Sequence, residues 1–274
     1  MNIDIVVHAG LPHQADFAAL VATGLCRHDI KVRVISSCQP VSADVVICWG
    51  WRQGEPLRQA GKQVLVMERG YIADRFEWTS FGWNGLNGRA SWPQIADGGD
   101  RFREHFADFL KPERDGGGEY ILVLGQVPGD ASLIGIDINL FYLQAAAVLA
   151  ERFALPIRFR PHPVHVERGF SPGTMFCDMP VTGGTLDEDL AGASFAVAWN
   201  SNALTDAAMA GVPVIAIDLG AMVWPIAGHG LIAEPALRDR ELWVHRMAWR
   251  QWNNAEIESG EFWDAVKTVI EDPR

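Results

Sequence analysis

Residues 194–217, SFAVAWNSNALTDAAMAGVPVIAI, read as strand, polar turn, short helix, tight turn and strand. Phe195 to Trp199 is an apolar run of strand length. Asn200, Ser201 and Asn202 follow at once, and each is a favoured helix N-cap. Ala203 to Ala210 is rich in helix formers, Gly211 and Pro213 end it, and Val214 to Ile217 begins the next buried strand. Two buried strands joined by a helix imply a parallel sheet, because a parallel connection needs a crossover. A helix opening at a strand's C-terminal end aims unpaired N–H groups into the crevice where α/β proteins bind ligands. The same residues also serve an ordinary βαβ unit with polar caps.

The rest of the chain repeats this grammar. Strands are expected at Ile3–His8, Lys31–Ile35, Val45–Trp49, Val64–Met67, Tyr120–Leu124 and Ile157–Phe159, with helices at Gln14–Cys26, Phe102–Leu110 and Asn139–Phe153. Alternating strands and helices give an α/β fold with helices on both faces of parallel sheets. The run Asp115-Gly-Gly-Gly118 reads as a hinge, so the expected domains are 1–115 and 116–274, both Rossmann-like. Helices expected over Arg240–Trp252 and Glu261–Glu271 end the chain, the last packing back on the first domain.

Composition removes several function classes. A net charge of −11 argues against a general nucleic-acid binder, while leaving room for a local basic patch within Arg69–Arg89. No apolar run reaches the length of a membrane span, and MNIDIVVHAG lacks the basic region of a secretion signal, so a cytoplasmic protein is expected. Cys26, Cys38, Cys48 and Cys177 form no CxxC pair, so no metal site is expected. Gly10-Leu-Pro-His13 is not the GxGxxG of a dinucleotide site, and no cofactor is expected.

Polar residues collect where strands end. Val64–Met67 runs into Glu68-Arg69-Gly70-Tyr71, putting a carboxylate where it can act as general base on an acceptor hydroxyl. An ion pair from Glu68 to Arg69 or Arg75 is the plainer reading, and Asp74 is a second candidate base. Phe76–Pro93 holds three glycines, two asparagines and three tryptophans, and is expected to be a long loop whose rings, Trp83 among them beside Asn84, stack on a sugar or a base or fill the core. Strand Tyr120–Leu124 opens into Gly125, Gln126, Asp130 and Ser132, suited to holding a phosphate and a ribose. Ile157–Phe159 ends in Arg160-Pro-His-Pro163, where two prolines fix His162 and Arg160 for work against a phosphate. Thr185-Leu-Asp-Glu188 is a capping box, which accounts for the acids Asp187, Glu188 and Asp189 without a metal.

Taken in order, Glu68-Arg-Gly-Tyr71, Gly125-Gln-Val with Asp130 and Ser132, Arg160-Pro-His-Pro163, and Asn200-Ser201 followed by Ala210-Gly-Val-Pro-Val214 resemble the bacterial capsule-polysaccharide glycosyltransferases of the Kdo-transferase type. The His-Pro and Asn-Ser elements are also similar to paired motifs of bacterial sialyltransferases. The likeness lies in motifs over roughly residues 64–217. It implies a GT-B-like fold, two Rossmann-like domains with parallel sheets facing a central cleft. It also implies a CMP-linked sugar as donor. The residues themselves suit metal-independent transfer from a CMP- or UDP-linked sugar to a saccharide, or to a modified base in DNA where Arg69–Arg89 makes a local basic patch. In that scheme Glu68 and His162 are catalytic. Gly125, Gln126, Asp130, Ser132, Arg160, Asn200, Ser201 and Asp206 lie on the donor side, and Arg69, Tyr71, Asp74, Trp83 and Asn84 on the acceptor side. Arg69 stands where the family pattern Glu-Asp-Gly has aspartate, and Asp206 where glutamate is commoner. A non-catalytic nucleotide- or sugar-binding module and a sugar-nucleotide epimerase are the alternatives on the same fold.

Overall fold

A computed structural model describes residues 1–8, 10–114, 117–166 and 170–271. Asp115 and Gly116 of the expected hinge lie outside the described residues. The chain forms two compact units, Met1–Phe106 with Val244–Arg274, and Ala107–Trp243. The break expected at 115/116 therefore falls inside the second unit, and everything from Val244 onward joins the first.

In chain order the first unit holds β1 (Asn2–Val7), α1 (Pro12–Cys26), β2 (Lys31–Ser36), β3 (Val45–Trp49), α2 (Trp51–Gln59), β4 (Gln63–Arg69), β5 (Trp78–Trp83) and α3 (Asp100–His105). The second holds β6 (Tyr120–Leu124), α4 (Ile138–Arg152), β7 (Ile157–Arg160), α5 (Pro163–Val166), β8 (Met175–Phe176), β9 (Met179–Pro180), α6 (Leu186–Gly192), β10 (Ala193–Ala198), α7 (Ala203–Met209), β11 (Val214–Ala216) and β12 (Gly228–His229). The unit boundary then falls within α8 (Arg240–Ala248), and β13 (Gln251–Asn253), α9 (Asn254–Ser259), α10 (Glu261–Val266) and α11 (Thr268–Glu271) complete the first unit.

The first sheet has the order β13-β5-β4-β3-β1-β2. Strands β1 to β4 are mutually parallel, and β5 and β13 are antiparallel additions. The second sheet, β12-β11-β10-β6-β7, is parallel throughout. Each sheet therefore has a place where the strand order reverses, between β1 and β3 in one and between β6 and β10 in the other. Ligands of open α/β sheets bind outside the C-terminal strand ends at such a point.

Phe76–Pro93 is not the expected loop. Trp78–Trp83 forms β5, buried along its whole length between β4 and β13. The glycines serve close packing: a Cβ on Gly82 would lie 2.7 Å from Ala90 Cβ. Trp83 is fully buried and its Nε1 donates to Val266 O at 2.8 Å. Trp83 thus fills the core with Phe81, Trp252, Phe262 and Trp263. The end of the expected helix Arg240–Trp252 is likewise a strand, since Gln251–Asn253 pairs with Trp78–Ser80. The opposite face of this sheet buries Val6, Ile35, Val46, Cys48, Val64 and Val66. In the second unit α4 lays Ile138, Phe141, Tyr142, Ala145 and Leu149 against Ile121, Val123, Phe159 and Val197.

Candidate functional site

The strand ends of the second unit are held by a buried amide pair. Gln126, just past β6, donates through Nε2 to Asn200 Oδ1 at 2.7 Å. The Asn200 backbone N–H, just past β10, donates to Gln126 Oε1 at 3.0 Å. Asn200 Nδ2 donates to Ser132 O at 3.1 Å and to Asp218 Oδ2 at 2.8 Å. The Gln126 N–H donates to the Tyr142 hydroxyl oxygen at 2.7 Å, and burial pushes that phenol up to about 12. Both amides are under a tenth exposed. These bonds clamp β6 to β10 at the reversal point and fix the loops that surround it. Asp218, as the acceptor that completes the clamp, is not identifiable from its local sequence.

Around this clamp stand the other expected donor-side residues. Asp130 Oδ1 accepts from the Ser132 N–H at 2.8 Å and the Ser132 hydroxyl at 2.7 Å, so the two form one exposed turn. Ser201 Oγ accepts from the Ala203 N–H at 3.3 Å, while Asn202, at the N-cap position of α7, makes no side-chain capping bond. Asp206 sits in the first turn of α7, half-buried. Gly125 N–H donates to Arg160 O at 2.7 Å. A Cβ at Gly125 would lie 2.9 Å from Arg160 O and 3.1 Å from His162 N, so only glycine lets β6 approach the end of β7 this closely.

His162 leaves β7 half-buried, with Nδ1 accepting from the Val164 N–H at 3.3 Å. Arg160, expected to face a phosphate with it, is turned inward. Its guanidinium pairs with Asp189 and donates to Gly184 O at 2.7 Å, and Thr182 Oγ1 also donates to Asp189 at 2.7 Å. The pairing balances Arg160 internally, because a buried carboxylate needs a cation more than the crevice does. The Thr185–Glu188 capping box is formed as expected, and its backbone N–H bond holds the Glu188 carboxyl below the usual range.

In the first unit Glu68 and Arg69 are neighbours on β4 and project to opposite faces of the sheet. Glu68 lies toward Cys48 and Gly50; burial first, and then its charge, push the Cys48 thiol up to about 12. Among the described residues Arg69 has no ion pair, and Arg75 Nε donates to Gly70 O at 3.1 Å, so neither arginine forms the simple pair with Glu68. Arg69 lies instead among rings, 4.7 Å from the centroid of Phe76, 5.3 Å from Trp49 and 5.6 Å from Phe17. These three rings, far apart in the chain, are the feature missed by reading motifs alone. Tyr71 is 3% exposed; its hydroxyl donates to Asn87 Oδ1 at 3.1 Å, and burial raises its phenol above the ordinary range. Asn84 is also structural, accepting from the Val64 N–H and donating to Gln63, each at 2.8 Å. With Trp83 in the core, three of the five expected acceptor-side residues thus support the sheet. Asp74 remains exposed, accepting from the Phe76 N–H at 2.9 Å. Among the described residues no group of three His, Cys, Asp or Glu is arranged to hold a metal ion, and no helix is long and apolar enough to cross a membrane.

No protein-family model and no curated protein matches the chain. Solved structures do. The KpsC beta Kdo 2,7 transferase of Thermosulfurimonas dismutans aligns with a TM-score of 0.57 at 15% identity, over 96% of this chain and 99% of that one. The KpsC beta Kdo 2,4 transferase of the same organism gives 0.55 at 17% identity, over 89% of each chain. A UDP-GlcNAc 2-epimerase of Methanocaldococcus jannaschii spans 99% of this chain and 100% of its own at 11% identity, with a TM-score of only 0.36, too distant to weigh. At these identities the likeness is one of fold: the chain has a GT-B-like architecture of two Rossmann-like α/β units, similar to that of the Kdo transferases.

Proposed function

We propose that the chain is a glycosyltransferase that moves a sugar from a CMP- or UDP-linked donor to a hydroxyl acceptor. The bond from the sugar's anomeric carbon to the donor phosphate breaks, and a bond from that carbon to the acceptor oxygen forms. Glu68 takes the acceptor proton. His162 donates a hydrogen bond to the departing phosphate as its charge grows. Gly125, Ser201, Asp206 and the Asp130–Ser132 turn line the donor side, with Gln126 and Asn200 holding them in place. No step in this scheme needs a metal ion.

The observation that carries this reading is the rigid seat of His162. It follows a parallel strand, stands between two prolines, and abuts a glycine whose Cβ would lie 2.9 Å from Arg160 O and 3.1 Å from the His162 backbone nitrogen. Such a seat suits an imidazole that must meet a ligand at a fixed distance. The solved structures of similar fold are named as Kdo transferases, which agrees with a sugar-transfer reaction.

The test is incubation with CMP- and UDP-sugars and a panel of saccharide acceptors, followed by product analysis. Glu68→Gln should lower kcat by about a hundredfold or more while donor affinity is kept. His162→Ala should cost about a hundredfold. Turnover should survive EDTA. Donor binding with no turnover in the unaltered protein would make the chain a binding module, and free nucleotide released without any acceptor would make it an epimerase.

A further inference from the structure

Helix α4 is apolar on two sides. One stripe, Ile138, Phe141, Tyr142, Ala145 and Leu149, fills the core of the second unit. A second stripe, Leu140, Leu143, Ala147 and Ala150, recurs at three- and four-residue spacing on the side facing solvent. Leu140 is 53% exposed and Leu143 56%. Between Asp137 and Glu151 the helix carries no charged residue, in a chain of which 21% is charged. An ordinary surface helix sets charged residues opposite its core stripe, and this one does not. Ile134 and Ile136, just before the helix in the chain, are 57% and 37% exposed. Beside the stripe runs an open groove of ≈ 1060 Å³, lined by Leu143, Ala147 and Ala150 on α4 and by Met175, Met179 and Pro180 of strands β8 and β9. Met175 is itself 61% exposed.

We infer that this face seats a second copy of the chain, in an antiparallel α4–α4 pair about a two-fold axis level with residue 145. A two-fold contact brings residue i of one copy to residue j of the other, and j to i. With the axis at that level, Leu143 meets the partner's Ala147 and Leu140 meets the partner's Ala150. Each large side chain on the stripe thus faces a small one, twice over, which is the alternation that close helix packing needs. The charges agree with this register. Glu151 comes level with the partner's Asn139, an amide that donates to a carboxylate. The two Glu151 side chains lie about 18 Å apart along the axis and the two Asp137 side chains about 24 Å, beyond the reach of screened repulsion. A parallel pair would set each acid against its like. The five large exposed residues leave roughly 500 Å² of apolar surface per copy, at the upper end for a monomer. Covering it in both copies buries roughly 1,000 Å², the lower bound of a specific interface. A membrane surface would call for Lys and Arg around the stripe, whereas Asp137 and Glu151 bound it. The covered helix carries Tyr142 on its inner side, whose hydroxyl oxygen accepts from the Gln126 N–H at 2.7 Å, so pairing braces the element that holds the amide clamp.

The test is sedimentation equilibrium of the whole chain from about 1 to 200 μM at physiological salt, the range in which an interface of this area associates. Its readout is mass, so it is separate from any transfer activity. The unaltered chain should pass from monomer to dimer over that range. Leu143→Lys and Ala147→Glu, each at an exposed position, should each weaken association about a hundredfold or more, because each buries two unpaired charges in the pair. An equimolar mixture of the two variants should dimerise again, since the new ammonium of one copy then faces the new carboxylate of the other while the second Leu–Ala contact is intact. Should either variant fail to fold, Leu140→Lys mixed with Ala150→Glu repeats the test one row outward. A chain that stays monomeric at 200 μM overturns the inference, as does a dimer indifferent to the single substitutions or a mixture that does not recover. So does a monomer that floats with phosphatidylglycerol vesicles and loses them on Leu143→Lys, which would assign the face to a membrane.

Discussion

Asp4 is a carboxylate 2% exposed in the middle of β1, and four hydrogen bonds keep it ionised. Arg33 supplies two at 2.8 Å each, and the Ser42 and Ala43 N–H groups supply the others at 2.8 and 3.0 Å. The Arg33 bonds, opposed by burial and aided by the backbone donors, bring its carboxyl from 3.8 to about 2. A carboxyl whose folded value is depressed stabilises the fold fully above its unfolded value. That stability is lost as pH falls from about 4 through about 2, and at neutral pH it amounts to about 2 kcal/mol. Asp4→Asn should therefore lower stability by about that amount at pH 7, measured by urea unfolding, and should flatten the acid limb between pH 4 and 2. An unchanged acid limb in Asp4→Asn would assign the acid sensitivity elsewhere. The amide pair of Gln126 and Asn200 is the neutral counterpart of this site: its side-chain polar atoms are partnered within the protein, and the pair orders the loops at the strand ends.

At the scale of elements, what packs closely decides what the strand ends can present. Gly125 is the contact between β6 and the turn after β7, and its φ is ordinary, so the requirement is for space and not for left-handed backbone. Gly125→Ala should push the Arg160–His162 turn outward, cost about 1–3 kcal/mol, and weaken donor binding with little change in far-UV dichroism. Thermal melts and donor titration check both; unchanged donor affinity would mean that the seat of His162 tolerates displacement. The same scale separates what was legible in the sequence from what was not. The strands Val45–Trp49 and Tyr120–Leu124 coincide with their apolar runs, because strands of a parallel sheet are buried on both faces. The Thr185 capping box was equally legible, since its two bonds span three residues. Strand β5 was not. Its glycines and polar residues have the composition of a loop, and it is a strand because β4 and β13 flank it, the latter about 170 residues away in the chain. Candidate residues at strand ends could be named from local pattern; their partners could not, because Asn200 reaches back 74 residues to Gln126 and Arg160 forward 29 to Asp189.

For the molecule as a whole, the two units are not successive halves of the chain. The first is closed by the C-terminal segment, whose Trp252, Ile257, Phe262, Trp263 and Val266 are all at most 2% exposed. They pack with Ile3, Ile5, Leu65, Met67, Phe81 and Trp83. Arg101 ties the same segment down through Ala248 O at 2.7 Å, Gln251 O at 2.9 Å and the Glu256 carboxylate. Gln251, fully buried, receives the Tyr71 N–H at 2.6 Å and the Ile72 N–H at 3.1 Å and donates to Ile72 O at 3.0 Å. It therefore orders the turn directly after Glu68, and the C-terminus helps to shape the proposed acceptor side. Burying five large apolar side chains contributes on the order of 10 kcal/mol, comparable with the entire stability of an ordinary domain. Deleting residues 244–274 should consequently unfold the first unit, although its own strands β1 to β5 remain in the chain. The second unit keeps all five strands of its sheet, and its core of Ile121, Phe141, Phe159 and Val197 draws on nothing beyond Trp243. Hydrogen exchange should show protection lost across residues 2–83 and kept in β6, β10 and β11. Protection retained in β3 and β4 after the deletion would show that the N-terminal strands form a stable sheet by themselves, with the C-terminal segment only an added layer.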